Sequence, residues 1–73
     1  MARYETGRCL LPDRRRDCNN MSQQRLADLT GYSRSHVSAI ERGLYEMKAS
    51  EAMAFCSVLD CSFQSLYEWK IKR

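Results

Sequence analysis

A chain of 73 residues, 44% of them hydrophobic, has room for one domain, and burying only about 60% of its unfolded surface it builds a small core. No apolar run approaches the roughly 20 residues needed to span a bilayer and the first residues lead into no signal-peptide core, so a cytoplasmic protein is expected. Twelve basic against nine acidic residues leave a net charge of +3, far from that of a nonspecific polyanion coater. Four cysteines without a C-x-x-C pair and a single histidine argue against zinc, and nothing suggests another cofactor.

In chain order, residues 1–8, MARYETGR, have no apolar period and contain Gly7, which reads as a loose arm. Its Arg3 and Arg8 suit either a frayed end or an arm laid along a nucleic-acid groove. A first helix is expected from Leu10 or Leu11 to about Cys18, with Pro12 in the first turn, where its missing N–H costs nothing. Leu11, Arg15, Cys18 and Met21 follow its inner side. The Arg14-Arg15-Arg16 run is either a solvated face or a DNA-contacting patch. Asn19-Asn20 ends the helix, the second residue in the left-handed conformation that asparagine tolerates.

From Gln23 to Gly43 an apolar stripe of Leu26, Ala27, Thr30, Val37 and Ile40 is interrupted by Gly31-Tyr32-Ser33, so two short helices meet across a tight turn. The first runs from Gln23 to about Thr30 behind a Ser22 cap, and the second from about Arg34 to Arg42 behind Ser33. Gly31 allows the positive φ that ends the first, and Ala27 allows close approach. This is the layout of a helix-turn-helix. The outer face of the second helix, Arg34, Ser35, Ser38 and Arg42, is polar, basic and short-chained.

A loop from Leu44 to Lys48 follows, with Met47 turned inward. A fourth helix over about Ser50 to Leu59 buries Ala52, Phe55, Cys56 and Leu59. Asp60 closes it in the left-handed region, and Ser62 caps a final helix from Phe63 to about Trp69, whose Phe63, Leu66 and Tyr67 complete the core. Residues 70–73 form a tail. Leu44, Trp69 and Ile71 are left outside this core.

The run MSQQRLADLTGYSRSHVSAIERG resembles the Cro/C1-type, or XRE-like, helix-turn-helix regulators of phage and bacteria. The Ser-Gln opening, the Leu-Ala pair, the Gly turn, the Ser-Arg-Ser start and the Ile-Glu-x-Gly end stand in register. The likeness continues through Met47, Ala52, Phe55, Leu59 and SFQSLYEW. It implies an all-α fold, a compact five-helix lambda-repressor-like domain over residues 9–69. The family commonly has an aliphatic residue where Arg15 stands, so either Arg15 lays its stem over the core or the first helix is rotated. The resemblance also implies an ion pair between Arg16 and Glu41. Lys48 replaces a common serine cap.

For the site, the resemblance implies a sequence-specific regulator of double-stranded DNA, a repressor of phage or mobile-element type, with the second helix of the motif in the major groove. Arg34 can donate two bonds to guanine O6 and N7, and Ser35 and Ser38 can bond a base edge or a phosphate. His36 suits a groove or backbone contact, having no partner for catalysis. Ala39, where relatives often carry a long polar reader, can touch a thymine methyl. Gln23 at a helix start can hold a phosphate oxygen, extended by Arg42, Tyr45 and Lys48. A homodimer on a palindromic operator is the expected working form. The competing reading is a protein-interaction module, an antirepressor or accessory subunit that keeps the fold. No acid–base pair, nucleophile triad or small-molecule site can be assembled, so an enzyme is not expected.

Overall fold

A computed structural model describes residues 3–72. The order of elements is strand β1 (Arg3–Cys9), helices α1 (Leu11–Asp17), α2 (Gln23–Thr30), α3 (Arg34–Glu41) and α4 (Ala49–Leu59), a 3-10 turn (Phe63–Leu66), and strand β2 (Tyr67–Lys72). The helical body is as expected. The expectation of an all-α, five-helix chain is corrected at both ends.

The residues read as a loose arm form β1, and the supposed last helix stops after one 3-10 turn and continues as β2 through the expected tail. Residues 1 and 2 of that arm and residue 73 of that tail lie outside the described residues. The two strands pair antiparallel, with Tyr4 opposite Ile71, Glu5 opposite Lys70 and Thr6 opposite Trp69, and an irregularity before Cys9 meets Tyr67. The reason lies in the period of two in YEWKIK, where aromatic and β-branched residues alternate with charges. Gly7 has a packing role too. A Cβ placed there would come within 3.0 Å of the Glu68 carbonyl oxygen and 3.2 Å of the Glu68 Cβ, so glycine lets the strands close at the irregularity.

Leu11, Leu26, Ala27, Val37, Ile40 and Phe55 are wholly buried, joined by Cys9, Ala52, Leu59 and Leu66. Each large apolar side chain so placed contributes about 1.5–3 kcal/mol. Phe63 is the exception to the expected core: it is 47% exposed and stacks on Trp69 instead. Leu66 takes the interior place at the end of the 3-10 turn, while Phe63 at its start is held outside against the Trp69 ring. Leu44, Trp69 and Ile71 are exposed, as expected.

The strands are tied to the body at a few points. The Leu10 N–H donates to the Leu66 carbonyl at 2.8 Å, the Met47 N–H donates to the Tyr67 hydroxyl at 3.0 Å, and the Thr6 hydroxyl donates to Glu46 Oε1 at 2.8 Å. The Trp69 indole N–H donates to the Gln64 carbonyl at 2.9 Å, which locks the start of β2 over the 3-10 turn.

Candidate nucleic-acid interface

Local chemistry sets the angle between α2 and α3. The Ser22 Oγ accepts from the Arg25 N–H at 3.0 Å and the Ser33 Oγ from the His36 N–H at 3.1 Å, so each helix starts behind a serine that satisfies a free donor. Gly31 ends α2 at φ 82°, its N–H donating to the Ala27 carbonyl. Ala27, Val37 and Ile40, all buried, then hold the two helices together. Thr30 sits at the edge of that contact and turns its hydroxyl back to the Leu26 carbonyl at 2.8 Å.

The result is one shallow depression lined by Gln23 from α2, by Arg34, Ser35 and Ser38 from α3, and by Arg42 just beyond α3. Five of the nine residues singled out by sequence share this surface. Ala39 lies half-buried on α3, and its carbonyl accepts from the Leu44 N–H, fixing the exit of the helix. His36 and Tyr45 are on another flank. The His36 ring stacks on Tyr32 at 5.0 Å between centroids, its Nδ1 lies 2.6 Å from the Tyr45 hydroxyl, and its Nε2 bonds Glu51. Lys48 is the residue before α4, and its N–H donates to Glu51 Oε1 at 2.7 Å.

Two buried carboxylates hold these side chains, Glu41 that of Gln23 in the depression and Glu51 that of His36 on the other flank. Glu41 receives Arg15 Nε at 2.7 Å, Arg15 Nη2 at 2.9 Å and the Gln23 amide at 2.9 Å. The ion pair implied for Arg16 is therefore made by Arg15, whose Nη1 also donates to the Met21 carbonyl at 2.7 Å. Arg16 instead pairs with Asp13 at 3.1 Å on the exposed side. The cause is helical phase: Arg15 follows the fully buried Leu11 by four residues and shares its face, whereas the next residue is turned about 100° away. Glu51 is the second. Burial works to raise its carboxyl, but the bond from the Lys48 N–H, the bond to His36 and the nearby charges prevail and hold it below the ordinary glutamate value.

The helix-turn-helix family model matches residues 14–66, which run from within α1 to the end of the 3-10 turn. The chain belongs to the Cro/C1-type helix-turn-helix family of DNA-binding transcriptional regulators. It is 30% identical to the SPbeta prophage-derived uncharacterized HTH-type transcriptional regulator YopS of Bacillus subtilis (strain 168), over 100% of this chain and 99% of that protein. Both strands lie outside the residues that the family model matches.

For a helix-turn-helix protein, the residues that sequence reasoning missed are the supports. Arg15 was in view as a charge on an inner face, and its spacing of four from Leu11 was the signal that it reaches inward. Glu51 lies three residues after the Lys48 N-cap, the spacing at which a carboxylate returns to the cap N–H. The tie between Glu51 and His36 had no sequence signal, since α3 and α4 meet only in the folded chain. Among the described residues no helix is long and apolar enough to cross a membrane.

Proposed function

We propose that the protein is a sequence-specific repressor of phage or mobile-element type, which inserts α3 into the major groove of double-stranded DNA. The observation that carries this reading is the shared surface of Gln23, Arg34, Ser35, Ser38 and Arg42, drawn from two helices whose angle is set by capped ends and a glycine turn. Arg34 in the first turn of α3 reads guanine, the two serines bond base edges or phosphate, and the Ala39 methyl meets a thymine methyl. Gln23 holds a phosphate oxygen together with the free N–H groups at the start of α2. Its amide is oriented for that task, because Glu41 accepts one of its N–H groups. Arg42, Tyr45 and Lys48 extend the phosphate contacts, and His36 holds the Tyr45 hydroxyl in place.

A single motif reads few base pairs, so the working form is a two-fold dimer on a palindrome with half-sites about 34 Å apart. The experiment is selection of bound sequences from a random duplex pool, followed by footprinting of the recovered site. A recovered palindrome is the expected result. No enrichment at low salt would overturn the reading in favour of a protein-interaction module that keeps the fold.

A further inference from the structure

We propose that Cys56 and Cys61 form a dithiol site that a small-molecule disulfide closes to an intramolecular bridge, pinning the C-terminal end of α4. The inference stands apart from the DNA-binding reading and starts from the way α4 ends. Asp60 takes the left-handed conformation at φ 52°, and the Cys61 N–H reaches back to the Cys56 carbonyl at 3.3 Å. A bond closing residues 56–61 in this way is that of the Schellman helix ending, in which the side chains of those same two positions come into contact. An apolar pair commonly fills the two places. Here both are free thiols, each half-buried, and they share a hydrogen bond. The turn thus brings two sulfurs to the close range that a disulfide requires.

The two thiols are not equivalent. Cys61 lines an open cleft of about 450 Å³ together with Arg14, Cys18 and Leu59, while Cys56 lies behind it on α4, against the core. Burial, with the Cys61 thiol beside it, raises the Cys56 thiol above its ordinary value, so it stays protonated at neutral pH. A small disulfide therefore meets Cys61 first. The Cys61 thiolate attacks one of its sulfurs, a protein-to-reagent S–S bond forms as the reagent's own S–S bond breaks, and one small thiol leaves with the Cys61 proton. Cys56 then gives up its proton and attacks the Cys61 Sγ, displacing the second small thiol. Two protein thiols are oxidised to one disulfide, and one small disulfide is reduced to two thiols. The bridge fixes the point at which the chain leaves α4 for the 3-10 turn that carries β2. In reducing surroundings the exchange runs backwards, which makes the pair a reversible modification site.

The test is equilibration of the full reduced chain in mixtures of hydroxyethyl disulfide and mercaptoethanol, followed by acid quenching, alkylation of the remaining thiols and mass analysis of tryptic peptides. Trypsin leaves Cys56 and Cys61 together on residues 49–70 and puts Cys9 and Cys18 on separate peptides. The expected product is residues 49–70 internally bridged and unalkylated, with Cys9 and Cys18 alkylated. In Cys56→Ser a mixed disulfide is expected to stay on Cys61, and in Cys61→Ser the reagent is expected to modify Cys56 about tenfold more slowly than that. In concentrated urea, where the helix end no longer aligns the thiols, the equilibrium constant for closure is expected to fall about tenfold or more. Thiols that all remain alkylatable, a bridge between Cys18 and Cys61, or a wild-type mixed disulfide that never closes would overturn the proposal. So would closure as favourable in urea as in the folded chain, or Cys56 reacting in Cys61→Ser as fast as Cys61 does in Cys56→Ser.

Discussion

Arg15 holds Glu41 with two parallel bonds, Nε to Oε2 at 2.7 Å and Nη2 to Oε1 at 2.9 Å, and this pair links α1 to α3 beneath the proposed DNA surface. Both side chains are largely buried, at 17% and 6% exposure. Breaking such a pair leaves a poorly solvated charge, so Arg15→Met should lower stability by about 3 kcal/mol. Removing both partners, in Arg15→Met with Glu41→Leu, should cost less than that single change. Arg16→Ala, which loses an exposed contact to Asp13, should stay within about 0.5 kcal/mol of wild type. Urea denaturation of the four proteins measures all of this, and equal losses at Arg15 and Arg16 would contradict the geometry.

Gly31 needs its backbone conformation rather than its small size. Its φ is 82°, and nothing lies within 4 Å of where a Cβ would stand. Gly31→Ala should therefore destabilise by about 1–2 kcal/mol through the left-handed penalty alone. Gly31→Asn should recover part of the loss, because asparagine visits that region more readily. Thermal unfolding of the two variants compares them, and a clash-like loss well beyond that size would point to packing instead.

Glu51 should make stability depend on pH in a defined direction. Its folded-state value lies below the ordinary 4.5, so as pH falls the unfolded chain binds this proton first. The stabilisation is complete above the ordinary value and is lost as pH drops through the folded-state value. Urea midpoints taken from about pH 5 down to about pH 3 should fall more steeply for wild type than for Glu51→Gln, which removes the titrating group. Parallel curves would show that the contacts with Lys48 and His36 do not hold the charged form.

Arg34 and Lys48 should separate reading from holding. Arg34→Ala is expected to weaken binding to the selected site by about 1–3 kcal/mol while changing affinity for random duplex far less. Lys48→Ala should weaken both alike and reduce the salt slope by about one. Fluorescence anisotropy titrations at several salt concentrations distinguish the two, and equal losses on every sequence for Arg34→Ala would remove it as a reader.

Most of the helical body was legible because its signals are local. Leu26, Ala27, Val37 and Ile40 announce their faces by spacing, Ser22 and Ser33 cap the residues just beyond them, and Asn20, Gly31 and Asp60 all take the positive φ expected at helix ends. The arginine partner of Glu41 differs by one position from the expected Arg16, since a single residue of helical phase separates an inward from an outward side chain. Phe63 lies outside the core because the expected helix stops after a turn of four residues and its ring stacks on Trp69 of β2 instead.

By itself, then, the sequence determined the helix-turn-helix and the side chains on its outer surface, because helix hydrogen bonds close within four residues and caps within three. Only the tertiary structure decided the sheet, because Arg3–Cys9 and Tyr67–Lys72 satisfy their backbone groups on each other from opposite ends of the chain. It also decided the supports beneath the surface, where Arg15 meets Glu41 and His36 meets Glu51. Such contacts depend on how separate elements rotate and pack, and no local pattern encodes that rotation.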